Sequence, residues 1–209
     1  MTAVAILTLP GFNEIDSFLA LHILNRADGV TAFLAGPSQE AVSMNGIATG
    51  ISGTLAEASK ADAVLVGSGI KTREFAADPA FLESLQLNPA RQLVASQCSG
   101  ALILARLGLL DGVPVCTDNK TRPWIEDLGF KVMEAPLAVS GNVATAGGCL
   151  SAQYIATWLL LRLTSESETR RALAYVVPVG EGDAYTRSLI ERAKAADPAG
   201  LSAAVSAEV

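Results

Sequence analysis

The chain is short of the residues that most often build metal sites, disulfide frameworks and nucleic-acid surfaces. It has one histidine and three cysteines, and only 5% of its 209 residues are aromatic. The histidine, His22, has no second soft ligand near it in sequence, so no metal site is expected. An odd number of cysteines without metal-ligand spacing suits a reducing compartment rather than a disulfide framework, and a cytoplasmic setting is expected. Charged residues are 17% of the total and the formal charge is -6, with no basic patch for nucleic acid or an anionic membrane. No apolar run reaches membrane-spanning length, and no charged leader precedes an apolar stretch with a small-residue cleavage site. What remains is half apolar, enough for one well-buried domain.

Apolar runs of strand length alternate with helical periodicity. Ala3–Leu9 is continuous and ends at Pro10-Gly11, as expected of a strand buried on both faces. A helix over about Glu14–Arg26, strands at Val30–Leu34, Ala63–Val66 and Val113–Cys116, and a hairpin around Ser140-Gly141-Asn142 follow. Gly147-Gly148 opens a long apolar helix to Leu163. This alternation predicts an α/β, flavodoxin-like three-layer sandwich with a mostly parallel central sheet. Residues 1–163 form that domain. Residues 164–209 read as a helical extension packed on it, with an extended segment at Tyr175–Val179 and a frayed end beyond Asp197.

One stretch organises the rest. Leu93-Val94-Ala95 runs without a spacer into Gln97-Cys98-Ser99-Gly100, and helical spacing resumes at Ala101. Strand, abrupt turn and helix in that order describe a nucleophile elbow, with Cys98 at its apex over the first turn of a helix. Unpaired amides and the helix dipole there favour thiolate over thiol. The bland alternative is a buried, inert cysteine.

The residues Ala95-Ser96-Gln97-Cys98-Ser99-Gly100-Ala101, followed by Leu109-Leu110-Asp111-Gly112, resemble the elbow of the ThiJ/PfpI superfamily, in the branch that includes isonitrile hydratases. The resemblance covers about residues 1–163. It implies that Pro10-Gly11-Phe12-Asn13-Glu14-Ile15-Asp16 ends in the acid that contacts the nucleophile, which favours Asp16 over Glu14, the competing carboxylate. The family's Pro-Gly-Gly is here Gly67-Ser68-Gly69, which reads either as a sharp turn or as an oxyanion hole using the amides of Gly69 or Ile70 with that of Ser99. Many relatives carry a histidine where this chain has Asp118, so a Cys-His hydrolase would lack its base. His22 reads as a helix-packed structural residue. Cys116 and Cys149 read as small buried residues, although Gly147-Gly148 could bring Cys149 to the crevice rim.

The resemblance thus implies a cysteine-dependent enzyme acting on a small electrophile. Its model reaction is the addition of water to an isonitrile to give an N-substituted formamide, a hydro-lyase activity, with Cys98, Asp16 and Ser99 as catalytic residues and Glu14 and Asp118 behind them. A hydrolase of the same superfamily, a redox or stress sensor with an oxidisable Cys98, and a glyoxalase- or deglycase-like activity are the alternatives. No cofactor is implied. A homodimer is expected, through the helix at Phe18–Leu24 or the short strands near residue 46.

Overall fold

Continuous apolar strands can be buried only if helices cover both faces of the sheet, and this chain supplies two helical layers. The computed structural model describes the backbone of residues 1–205 and the side chains of residues 1–201. From the amino end, β1 (Thr2–Leu7) leads through a π-helical turn (Ile15–Leu19) into α1 (Ala20–Leu24) and β2 (Val30–Gly36). A hairpin of β3 (Glu40–Val42) and β4 (Ala48–Gly50) precedes β5 (Gly53–Thr54), α2 (Leu55–Ala58) and β6 (Ala63–Val66). Then come α3 (Thr72–Ala76), α4 (Pro79–Ser84), β7 (Leu93–Gln97), α5 (Gly100–Arg106) and α6 (Arg122–Glu126). The hairpin β8 (Leu137–Ser140) and β9 (Val143–Ala146) is followed by a 3-10 turn (Cys149–Ser151) and α7 (Ala152–Leu163). The chain continues through α8 (Glu166–Ala174), α9 (Gly182–Ala196) and α10 (Pro198–Val205).

The central sheet has the order β5-β2-β1-β6-β7-β9-β8 and is parallel except for β8 against β9. Alternate residues of β1 go to opposite layers. Val4 and Ile6 pack with Ile155, Trp158 and Leu159 of α7, whereas Ala5 and Leu7 pack with Ile103 and Leu104 of α5. Each fully buried Leu or Ile of this kind contributes roughly 1.5–3 kcal/mol. Leu173 of α8 and Leu189 and Ile190 of α9 join the α7 layer. The Trp158 indole N–H and the Arg162 guanidinium both donate to Oδ2 of Asp197, each at 2.9 Å. Among the described residues no helix is long and apolar enough to cross a membrane.

Several expectations change in detail. Val113–Cys116 and Lys131–Met133 meet only in an isolated bridge between Val115 and Val132, and Pro114 has no N–H to extend the ladder. Tyr175–Val179 is not extended: the amides of Val176 and Val177 both turn back to the carbonyl of Leu173, at 2.9 and 3.1 Å. The first helix begins as a π turn. The expected fraying after Asp197 falls partly on α10, which is helical to Val205, and partly on residues 206–209, outside the described residues.

Candidate active site

Adjacent β1, β6 and β7 deliver three loops to one crevice at their carboxyl ends. At the end of β7, Cys98 adopts φ 47°, and it is the one non-glycine residue with positive φ among those described. Such a conformation costs about 1–3 kcal/mol and persists only when its surroundings impose it. Here they do. The Cys98 amide donates to the carbonyl of Ala146 at 2.8 Å, and the Thr117 hydroxyl donates to the Cys98 carbonyl at 2.8 Å. Gly100 completes the turn: a Cβ there would lie 2.3 Å from the Val66 carbonyl oxygen and 2.8 Å from that of Gly67. Only glycine lets α5 start so close to β6.

The π turn after β1 carries Asp16, fully buried, into this crevice. π turns of this kind often mark functional sites because they re-aim one side chain without ending the helix. The Ser68 hydroxyl donates to Asp16 Oδ2 at 2.5 Å, while Oδ1 receives no N–H or O–H. What does approach Asp16 is sulfur. A carboxylate oxygen of Asp16 and the sulfurs of Cys98 and Cys149 all lie within 4.8 Å of one another. Both sulfurs also accept from amides, Cys98 from Gln97 Nε2 at 3.7 Å and Cys149 from Asn13 Nδ2 at 3.2 Å. The three donors are a set that could hold a thiophilic cation, which the spacing in sequence concealed. Both thiols would first have to lose their protons, and their surroundings oppose this.

Burial raises the Asp16 carboxyl above the usual range, against the lowering effect of the Ser68 hydrogen bond. Burial also pushes the Cys98 thiol strongly upward, and the negative charge of Asp16 adds to it. The expectation of a thiolate favoured by the helix start is therefore reversed: desolvation outweighs the dipole of a two-turn helix. Cys149 is raised for the same reasons, burial first and then Asp16. The resting arrangement is a neutral thiol beside a carboxylate whose proton affinity burial has raised.

Other expected residues are placed less centrally. The Gly69 amide donates to Ser99 Oγ at 3.3 Å and the Ile70 amide to the Gly11 carbonyl at 2.9 Å. Both amides proposed for an oxyanion hole thus have acceptors, Ile70 through the short antiparallel pairing of Phe12 with Gly69 and Gly69 through the Ser99 hydroxyl. The amides of Ser99 and Gly100, at the start of α5, have no acceptor among the described residues. The Ser99 hydroxyl donates to Thr72 Oγ1 at 2.9 Å, tying the elbow to the start of α3. Asp118 accepts from the Thr121 hydroxyl at 2.6 Å and from the amides of Lys120 and Thr121, so its carboxylate holds the turn into α6. His22 is exposed at the surface, its ring 5.7 Å from that of Tyr175.

Glu14 points the other way. It accepts from the Ser43 hydroxyl and from Asn45 Nδ2 at 2.9 Å, pinning the β3–β4 hairpin, and the Ser43 bond holds its carboxyl below the ordinary range. Glu14→Gln is expected to leave the rate of Cys98 alkylation within about twofold of wild type. A change as large as that of Asp16→Asn in the same mass-spectrometric assay would contradict the assignment.

A cavity of about 180 Å³ adjoins Cys98, walled by Asn13, Met44, Ile70, Trp124, Cys149 and Asp118 among others, with Lys120 at its edge. Trp124 is held by Arg73, whose guanidinium sits 4.6 Å from the ring centre. Two larger open grooves, of about 450 and 590 Å³, contain no cysteine. Sequence reasoning left Trp124 and Lys120 unselected and weighed Cys149 chiefly as a packing residue. The glycine pair before Cys149 was the available signal.

A structure of a ThiJ/PfpI family protein from Pseudomonas syringae superposes with a TM-score of 0.74 at 21% identity, covering 94% of this chain and 89% of that one. A DJ-1 superfamily protein from Salmonella typhimurium gives 0.71 at 25% identity, covering 84% and 98%. Oxidized DJ-1 from Toxoplasma gondii gives 0.72 at 20%, covering 86% and 100%. No curated protein matches the chain. The sequence matches the DJ-1/PfpI family over residues 2–160, three quarters of its length, and the chain belongs to that family.

Proposed function

We propose that this protein is a cysteine-dependent enzyme that adds water to a small electrophile, with an isonitrile as the model substrate and Cys98, Asp16 and Ser99 as the catalytic set. The carrying observation is the buried Asp16 carboxylate beside the Cys98 thiol, with no imidazole at the site. A carboxylate raised by burial is a competent base near neutral pH. Asp16 takes the Cys98 proton as sulfur attacks the terminal isonitrile carbon, and gives that proton to the same carbon. The product of this step is a thioimidate, with a new C–S bond and a new C–H bond. Water then adds across the C=N bond, Asp16 moving its proton to nitrogen, and the C–S bond breaks to release the N-substituted formamide and the thiol. The amides of Ser99 and Gly100, next to Cys98 in the chain and without acceptors among the described residues, are donors for charge that develops in these steps, and Ser99 fixes the elbow through Thr72.

The cavity of about 180 Å³ is well below the size of drug-sized ligand sites, so the substrate is small, with Trp124 and Ile70 against its apolar part. The test is formamide production from a short alkyl isonitrile, followed by NMR. Wild type should turn over many times and Cys98→Ser should fall by at least about 100-fold. Stoichiometric loss of the isonitrile with no formamide would overturn the reading.

A second reading, a redox sensor without turnover, is supported by the thiol–carboxylate contact and by the oxidized state named for the Toxoplasma relative. We also assign a cytoplasmic setting, a main domain of residues 1–163 with a packed extension, and a homodimer. Of the two surfaces expected for it, the helix at Phe18 to Leu24 turns Ala20, Ile23 and Leu24 into the core and leaves Phe18, Leu19 and Leu21 half-buried. Val42, Met44 and Ile47 on the hairpin, with Ile70 and Leu150, remain exposed, Met44 and Ile70 also wall the cavity, and a second copy covering those two would shield the site from water.

A further inference from the structure

We propose that Cys149 is the resolving thiol of Cys98, so that peroxide closes a Cys98–Cys149 disulfide at this site. The proposal rests on reading Cys98 as the reactive thiol, and it is independent of isonitrile chemistry. Cys149 lies outside the elbow and its neighbours in sequence, yet it is in the cavity wall with its sulfur within 4.8 Å of both Cys98 and Asp16. Its aim is fixed: Asn13 Oδ1 accepts the Ile15 amide at 3.1 Å, which leaves the Asn13 NH2 group facing the Cys149 sulfur. Cys116 is a built-in contrast, fully buried and absent from the cavity.

Bond formation needs the sulfurs to close from within 4.8 Å to about 2.05 Å. Gly148, just before Cys149, has φ 84° with nothing within 4 Å of where its Cβ would sit, while its carbonyl is held by Gln97 Nε2 at 2.7 Å, so the closing movement belongs to the Cys side chains. In the first step the Cys98 sulfur attacks one peroxide oxygen and the O–O bond breaks. Sulfur is oxidised by two electrons to sulfenic acid, and the departing hydroxide takes the thiol proton as water. In the second step the Cys149 sulfur attacks the sulfenic sulfur. The S–S bond forms, the S–O bond breaks, and hydroxide leaves with the Cys149 proton as a second water. Asp16 Oδ1, buried and receiving no N–H or O–H, is placed to carry that proton between them.

The consequence is protective, since a disulfide is reversible where a sulfinate is not. The experiment is treatment of the full chain with about a fivefold molar excess of hydrogen peroxide, enough for the two oxidations that a sulfinate needs, then peptide mass spectrometry without reductant. Wild type and Cys116→Ser are expected to give the Cys98–Cys149 crosslink, lighter by about 2 Da and reversed by dithiothreitol. In Cys149→Ser, Cys98 should instead gain about 32 Da as sulfinate, at least about tenfold faster than in wild type. Equal sulfinate formation in wild type and Cys149→Ser, or a crosslink to Cys116, would overturn the proposal while leaving Cys98 reactive. If Cys98 takes up neither peroxide oxygen nor iodoacetamide, both the proposal and the reactive-thiol reading fall together.

Discussion

Asp16→Asn is expected to lose most of the turnover and to gain stability at neutral pH. Turnover falls because the amide can neither take the Cys98 proton nor return it, and general acid–base catalysis of this kind contributes about 100- to 10,000-fold. Stability rises because the folded protein holds Asp16 fully buried with a carboxyl shifted upward by desolvation. Between the ordinary aspartate pKa and the raised one the folded state binds more protons than the unfolded state. Stability therefore declines as pH rises through that window and stays lower above it. The asparagine carries no charge and can still accept the Ser68 hydroxyl. Its thermal midpoint should exceed that of wild type at neutral pH, and the gap should close as the pH falls toward the ordinary aspartate range. Melts at a series of pH values test this, and a variant less stable than wild type throughout would mean that the carboxylate contributes to folding.

Gly100→Ala carries the second large effect. Its Cβ would come within 2.3 Å of the Val66 oxygen and 2.8 Å of the Gly67 oxygen, both backbone atoms of the neighbouring strand and its exit. Backbone cannot swing aside as a side chain can, so α5 must lift from β6 and the Cys98 turn must open. Overpacking against such atoms costs about 3 kcal/mol, which lowers the thermal midpoint by roughly 6–12 °C in a domain of this size. Gly50→Ala is the control: nothing lies within 4 Å of its Cβ position, and its stability should stay within about 0.5 kcal/mol of wild type. A Gly100→Ala melt indistinguishable from that control would mean that the elbow has slack.

Much of this fold could be read because uninterrupted apolar runs such as Ala3–Leu9 and Ala63–Val66 belong to parallel strands covered on both sides, a pattern with few competing explanations. The elbow was legible for the same local reason, a strand and helix with no residues between them. Less legible were features set by tertiary contact. The upward shift of Cys98 comes from burial, which a helix-start argument does not contain, and the partners of the Gly69 and Ile70 amides come from the Ser99 hydroxyl and from the bridge to Phe12. Cys149 reaches the site because β9 lies beside β7, an adjacency that no spacing in the chain encodes. The Val113–Cys116 segment misled because its apolar run suits a strand while its proline limits it to a bridge.

The claim at the centre of this account is that Asp16 and Cys98 act as one proton-sharing pair. Residue-resolved alkylation across pH, in wild type and Asp16→Asn, tests it most directly. In wild type, Cys98 labelling should climb only toward alkaline pH, because burial and the Asp16 charge both oppose the thiolate. Removing that charge should displace the Cys98 profile to lower pH and raise its rate about tenfold at a fixed pH on the rising limb, with Cys116 unchanged. Superimposable Cys98 profiles in the two proteins would contradict the account.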